Sequence, residues 1–386
     1  MSRGDEDTAA GSRGPDGARG DAEACIAFTG GGTGGHVFPG LAVIEALRER
    51  WPGRIVWIGS GKEVERRAVE AAGVEFIAIP SGKLRRSISL KNVGDAFKVA
   101  AGYLAARRVL RELRPALLFS KGGYVSVPPC MAAASLGIPV FTHESDLSPG
   151  LATRLNAKRA ERILVSWERT VDDLPEDRRG RAVAVGNPVR RAIREGNAAA
   201  GRGWLGFADD LPIVLVLGGS QGARQVNELI AAILPELAGK ARVAHQTGPG
   251  NAPVRPADGG YKGFEFVSAE LPDLYAAADV IVGRAGAGTL WEGAASGKPM
   301  VFIPLGSGSR GDQVENARLL ASRGGAVCLA GSDATPAALL AALEPLLTDP
   351  AARAAMAAAA GETARPDAAA AIAGMILDRV LKGSTR

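Results

Sequence analysis

Short apolar runs that end in glycine or a polar turn alternate along this chain with amphipathic, alanine-rich stretches. That alternation predicts βα units built around parallel sheets, and it occurs twice. In the first half the strand candidates are CIAF, RIVWIG, EFIAIP, ALLFS, PVFTHE and RILVS, with AVAVGNP at the end. In the second half they are IVLVLGG, ARVAHQT, FEFVS, DVIVG and PMVFIP, followed by a weaker AVCL. The pattern predicts an α/β fold of two Rossmann-like, doubly wound parallel-sheet domains, residues 23–187 and 188–364, joined near Gly186-Asn187-Pro188. Arg365-Pro366-Asp367 interrupts the helical stretch that starts near Asp349, and a helix restarted within 365–386 is placed to cross back to the first domain.

Composition agrees with that division. A chain of 386 residues with 46% hydrophobic content folds as a globular protein and exceeds the comfortable size of one core. Residues 1–22 carry five glycines, five acids and three arginines with almost nothing large and apolar. Such a segment cannot offset the entropy of ordering and reads as a disordered tail. No signal peptide and no spanning apolar stretch is found, which predicts a cytoplasmic protein. Cys25, Cys130 and Cys328 lie in apolar contexts without metal-ligand spacing and read as small buried hydrophobes.

Charge adds one feature. The net charge is +5, yet Ser81 to Arg114 alone holds nine basic residues against two acids, so the rest of the chain is slightly acidic. Leu84, Ile88, Leu90, Val93 and Phe97 are interleaved with those bases, a composition suited either to resting on anionic lipid headgroups or to a solvated helix face. Nucleic acid fits less well, because Phe97 and Tyr103 are the only aromatic residues there.

Glycine-rich turns follow strands in both halves: GGGTGGH and Lys121-Gly122-Gly123-Tyr124 in the first, Gly218-Gly219-Ser220-Gln221-Gly222-Ala223 and Arg284-Ala285-Gly286-Ala287-Gly288-Thr289 in the second. Each can bring backbone N–H groups and a positive helix end to an anion. Gly30-x-Gly32-x-x-Gly35 also fits a dinucleotide fingerprint, but the acid expected at the end of the second strand is missing, since RIVWIGSGKE has glycine and serine there. The sole DxD, Asp5-Glu6-Asp7, lies in the tail, and no His/Cys/carboxylate cluster offers a metal site.

Three histidines are present. His36 lies at a helix start, where the positive end favours a neutral imidazole able to take a proton from a sugar hydroxyl; it equally suits a cap. His143 is at a strand end beside Glu144, a carboxylate able to orient it, and His245 reads as a structural strand residue. In the second half Arg284 suits phosphate and Glu292 suits the two hydroxyls of a ribose, although an Arg/Glu pair is as often a surface salt bridge. Gln313 and Asn316 open a helix with amides that can bind sugar hydroxyls or serve as surface caps.

Taken in order, GGGTGGHVFPGLA, GGYVSVP, PVFTHES, GNPVR, GGSQGARQVNE, RAGAGTLWE and GDQVENA resemble the bacterial MurG glycosyltransferases over nearly the whole chain after the tail. The resemblance implies a GT-B fold, two Rossmann-like domains facing across a cleft. It further implies transfer of N-acetylglucosamine from UDP-GlcNAc to undecaprenyl-pyrophosphoryl-MurNAc-pentapeptide (lipid I), forming lipid II for peptidoglycan. Thr33, Gly34, Gly35 and His36 match the first acceptor loop, with His36 the proposed general base. Gly122, Gly123 and Tyr124 match a second acceptor loop, and Glu144 belongs with the acceptor side. Arg190, Ser220 and Gln221 match positions near the donor diphosphate and sugar, and Val267 one whose backbone reads uracil. Glu292 matches the ribose carboxylate and Gln313 a contact to the sugar, with Arg284, Gly286, Thr289 and Asn316 completing the donor site. Where many members read HEQN this chain reads His143-Glu144-Ser145-Asp146, and the glutamine pair near the donor sugar is Asp312-Gln313.

The reading therefore is an inverting transferase that needs no cofactor or metal, held peripherally at the inner leaflet on the cytoplasmic face of the membrane. It has no nucleic-acid partner. Competing readings are a transferase glycosylating diacylglycerol, a UDP-GlcNAc 2-epimerase, and a non-catalytic nucleotide-sugar-binding protein.

Overall fold

The computed structural model describes residues 24–32, 34–82, 91–219, 221–251, 259–306 and 311–384. The proposed tail, Thr33, Ser220 and the basic stretch 83–90 lie outside the described residues.

Two parallel sheets form. The first contains β1 (Cys25–Thr29), β2 (Arg54–Gly59), β3 (Glu75–Ala78), β4 (Leu117–Ser120), β5 (Val140–Glu144), β6 (Arg162–Val165) and β7 (Ala182–Ala184), in the order β3-β2-β1-β4-β5-β6-β7. The second contains β8 (Ile213–Leu217), β9 (Arg242–Gln246), β10 (Tyr261–Phe264), β11 (Val280–Gly283), β12 (Met300–Phe302) and β13 (Ala326–Cys328), in the order β10-β9-β8-β11-β12-β13. In each sheet the strand order reverses once, between β1 and β4 and between β8 and β11. Those are the crevices where open α/β sheets bind ligands. All four glycine-rich turns read from the sequence follow one of these four strands.

The strands at the reversal points are buried on both faces. Ile26, Ala27 and Phe28 on β1 and Leu117, Leu118 and Phe119 on β4 are all 0% exposed, which is why they read as unbroken apolar runs rather than alternating ones. One strand differs from expectation. FEFVS was expected to pair, but the edge strand is Tyr261–Phe264, in register with Val243–Gln246. Backbone pairing continues as far as Glu265, whose carbonyl accepts from Gly248 N at 3.1 Å; beyond it the Val267 N–H donates to the Gln246 side chain at 3.3 Å, and Val267 lines the cleft.

The helix Ala368–Ser384 returns to the first domain, where Ile372, Ala373, Ile376, Leu377 and Val380 pack with Ile26, Phe28, Val43 and Leu47. Arg365 supports the crossing by donating to Ala184 O at 2.9 Å. The two domains also touch through aromatic rings. Trp167, just after β6, and Trp291 of the second domain have centroids 4.6 Å apart, and both belong to one buried cluster with Leu147.

Candidate active site

At the reversal point of the first sheet, β1 runs into Gly30–Gly32 and then into the helix Gly34–Arg48. His36 is the third residue of that helix and is half-buried at the mouth of the cleft. The helix contains Pro39, which has no N–H for the Gly35 carbonyl, so the turn that carries His36 keeps a backbone acceptor outside the helical ladder. The second loop, Gly122-Gly123, closes on the ring. Gly123 has φ +75°, and a Cβ there would meet the Gly31 carbonyl and come within 2.9 Å of His36 Cδ2. Two glycine loops and the imidazole thus lie in mutual contact, which requires glycine at that position. The Tyr124 ring lies against Gly32, with Lys62 Nζ 5.9 Å from its centroid.

Across the cleft, Glu292 projects from the helix Ala287–Ala295, whose N-cap is Gly286. Its carboxylate is 3.5 Å from the Arg190 guanidinium, with the two side chains 16% and 19% exposed. The fully buried Tyr275 also hydrogen-bonds Glu292, and burial raises the Glu292 pKa against the pull of Arg190 and Tyr275. Arg190 lies over the Phe38 ring of the first domain, 4.5 Å from its centroid. One guanidinium therefore touches both halves of the cleft.

A cavity of about 370 Å³ collects Gly34, Gly35, His36, Arg190, Val267, Gly286, Thr289, Glu292 and Gln313 from sequence positions far apart. Gln313 accepts from Leu305 N at 3.0 Å, which holds the start of its helix against the end of β12. The sequence reading missed Gln246, Tyr275 and Phe38, which also line this cavity. Gln246 is 5% exposed and ties two loops together, donating to Gly219 O at 3.1 Å while accepting from Val267 N. Its only sequence signal is a polar residue closing the apolar strand ARVAHQT.

The expected acceptor residues Gly122, Gly123 and Tyr124 belong to the second loop and are not part of this cavity's lining, and four further expected ligands do not line it either. Arg284 was read as a phosphate ligand, but its guanidinium donates to Ile303 O at 2.8 Å and Gln225 Oε1 at 3.0 Å, bracing the ends of neighbouring strands. Glu144 was assigned to the acceptor, but its carboxylate accepts from the N–H groups of Ser145, Asp146 and Gly150 at 2.8–3.1 Å and so shapes its own loop. Asn316 was read as a sugar ligand; it is 1% exposed and bonds Leu147 N and Asp146 Oδ1 of the first domain at 2.9 and 3.0 Å. Gln221 is exposed outside the cavity.

The remaining histidines are buried outside the cavity. His143 is 0% exposed with Nε2 2.9 Å from Gly186 O, and burial holds its pKa well below the ordinary value. His245 lies between Asn227 and Tyr261, with its pKa lowered by burial to about 4. Among the described residues, no group of three His, Cys, Asp or Glu side chains is placed to hold a metal ion.

The arrangement offers a half-buried imidazole on one wall and a carboxylate, a guanidinium and helix N-termini on the other. That combination can receive a nucleotide and deprotonate a hydroxyl presented to it. Residues 26–165 match the glycosyltransferase family 28 N-terminal domain and residues 213–372 its C-terminal domain. A UDP-N-acetylglucosamine–N-acetylmuramyl-(pentapeptide) pyrophosphoryl-undecaprenol N-acetylglucosamine transferase of Treponema denticola is 48% identical over 333 residues, covering 81% of this chain and 85% of the relative. The protein of the same name from Staphylococcus carnosus is 45% identical over 302 residues, covering 78% and 82%. Among solved structures, Acinetobacter baumannii MurG aligns with a TM-score of 0.69 at 26% identity, covering 92% of this chain and 99% of that one. A Neisseria meningitidis UDP-GlcNAc 2-epimerase bound to UDP-GlcNAc aligns with a TM-score of 0.63 at 13% identity, over 92% and 100%, a likeness of fold alone.

Proposed function

The chain belongs to glycosyltransferase family 28, and from that premise we propose how its cleft carries out the reaction. The enzyme transfers N-acetylglucosamine from UDP-GlcNAc to the polyprenyl-pyrophosphate-linked muramoyl pentapeptide, a step of peptidoglycan synthesis. The observation that carries the mechanistic reading is that His36 and the Arg190–Glu292–Tyr275 cluster face one cavity from opposite domains.

UDP-GlcNAc lies on the second domain. Its uracil meets the Val267 backbone, its ribose hydroxyls are accepted by Glu292, and its diphosphate is neutralised by Arg190 and the backbone N–H groups after β8. Gln313 holds the sugar. The acceptor lies on the two glycine loops of the first domain, with its 4-hydroxyl beside His36. In one displacement that oxygen bonds to the anomeric carbon, its proton passes to the imidazole, and the bond from the anomeric carbon to the diphosphate breaks so that UDP leaves with the electron pair. Attack opposite the leaving group inverts the α-linkage to β. Charge growing on UDP is met by groups already oriented toward it.

Because the acceptor carries a polyprenyl chain, the enzyme works against the membrane surface, bound peripherally at the cytoplasmic leaflet. Phe97 and Leu104, 73% and 66% exposed on the helix Lys91–Leu113, support this together with the exposed bases Lys98, Arg108 and Arg111 on the same helix. Among the described residues no helix is long and apolar enough to cross a membrane.

The test is incubation of labelled UDP-GlcNAc with lipid I and, separately, without acceptor. Labelled lipid product is expected in the first reaction alone. Label released as free N-acetylmannosamine or epimerised nucleotide sugar without acceptor would instead identify an epimerase.

A further inference from the structure

Lys121 follows β4 at the reversal point of the first sheet, and its side chain is 1% exposed. Its N–H donates to Thr29 O at 2.8 Å. Its stem lies against the first glycine loop and helix, since a Cβ on Gly30 or Gly40 would come within 3.0 or 3.8 Å of Lys121 Cβ. The ammonium is therefore enclosed beneath the acceptor loops, where an unpartnered charge would be costly.

Its partner is the turn after β5. Nζ donates to Ser145 Oγ, and that hydroxyl donates onward to Asn187 Oδ1 at 2.9 Å. Ser145, Asp146 and Asn187 line the cleft, and Asn187 lies in the segment that joins the two domains. The same turn is gripped from the donor domain by Asn316, which donates to Asp146 Oδ1 at 3.0 Å and accepts from Leu147 N at 2.9 Å. One residue further on, Ser148 Oγ donates to Glu315 Oε2 at 2.6 Å. Asn316 and Glu315 share the helix Asp312–Ser322 with Gln313, so the element that reaches the donor sugar is docked on the turn that Lys121 supports.

We propose that Lys121 is a positioning residue for the transfer: its ammonium, acting through Ser145, fixes Asn187 and the Ser145–Leu147 turn so that the donor domain docks with both substrates at reacting distance. The proposal rests on the transferase reading above. The charged and titratable groups around the ammonium are His143 and Glu144 on β5 and Asp146 on the turn, and His143 in turn senses His36. Burial draws the Lys121 pKa down to about 8, with Glu144 and Asp146 opposing that fall. The charged form is therefore lost as pH rises through about 8, whereas His143, held neutral by burial, does not titrate in that window.

The experiment compares wild type, Lys121→Met, Ser145→Ala and the double variant with UDP-GlcNAc and lipid I, measuring kcat, UDP-GlcNAc affinity and the pH dependence of kcat. Each single variant is expected to lose about 10- to 100-fold in kcat, the scale of a small misplacement of reactants, with donor affinity nearly unchanged. The double variant is expected to lose no more than the worse single one, because both cut the same relay. The wild-type kcat should fall above about pH 8, and Lys121→Met should lack that alkaline limb. Full kcat in both single variants, multiplicative losses in the double, or an unchanged alkaline limb in Lys121→Met would overturn the role of Lys121. A wild type that forms no lipid product would reject the transferase reading instead. Ser145→Ala keeps the ammonium and removes the relay, so full kcat in that variant alone overturns the role even where Lys121→Met does not fold.

Discussion

Arg190 and Glu292 pair at 3.5 Å between the domain junction and the donor helix, while the same guanidinium lies on the Phe38 ring of the acceptor domain. The carboxylate proposed to receive the ribose and the cation proposed to receive the diphosphate thus hold each other. In the proposed donor complex Arg190 turns to the diphosphate and Glu292 accepts the ribose hydroxyls, so each group keeps a polar partner in a largely desolvated site.

Glu292→Ala is expected to weaken UDP affinity by about 10- to 100-fold, the scale of one or two charge-assisted hydrogen bonds. It should also cost about 1–3 kcal/mol of stability, because Arg190 loses its partner in a largely desolvated site. Calorimetric titration with UDP and thermal unfolding measure the two effects. The pH dependence has a definite sign. Burial raises the Glu292 pKa, and the ionised carboxylate is the form that accepts hydroxyls. UDP affinity should therefore fall with decreasing pH earlier than an ordinary glutamate would allow, and Glu292→Gln should remove that dependence.

Gly123→Ala tests the contact between the acceptor loops. The left-handed φ of +75° and the approach to His36 Cδ2 at 2.9 Å leave no room for a methyl group. The substitution should cost about 1–3 kcal/mol in backbone strain and loop displacement. It should also lower kcat about 100-fold through movement of His36. Thermal unfolding and steady-state transfer rates check both. Gly137→Ala is the comparison: its φ is also positive, at +73°, but nothing lies within 4 Å of the added methyl, so it should show the strain without the loss of rate.

These relationships mark how far the sequence could be read. The parallel strands were legible because burial on both faces makes them continuous apolar runs, and the glycine turns because each is a local necessity of strand-to-helix reversal. β10 slipped because it is an edge strand, where Tyr261–Phe264 pairs on one side only and its pattern is weak. Side-chain direction was not legible. Arg284 follows its strand directly, yet its guanidinium turns along the strand ends to Ile303. Asn316 sits one helical turn after Gln313, yet it faces the other domain. Pairings such as Arg190 with Glu292 and Lys121 with Ser145 join residues brought together only by the tertiary fold, and no local period signals them.

Phe97→Asp combined with Leu104→Asp tests the membrane face. Both side chains are largely exposed, so the change should leave thermal stability within about 0.5 kcal/mol. It should reduce co-sedimentation with vesicles containing anionic lipid, and transfer to a vesicle-embedded acceptor more than transfer to a short-chain soluble one. Raising salt should weaken the wild-type association, since basic side chains contribute to it.

The most direct measurement of the central claim follows labelled UDP-GlcNAc into lipid I with wild type and His36→Ala side by side. UDP-GlcNAc affinity is determined for both. The cleft geometry predicts labelled lipid II from the wild type, a rate at least about 100-fold lower in the variant, as expected for loss of a general base, and unchanged donor affinity. A wild type that makes no labelled lipid, or a variant that makes it at the wild-type rate, would contradict it.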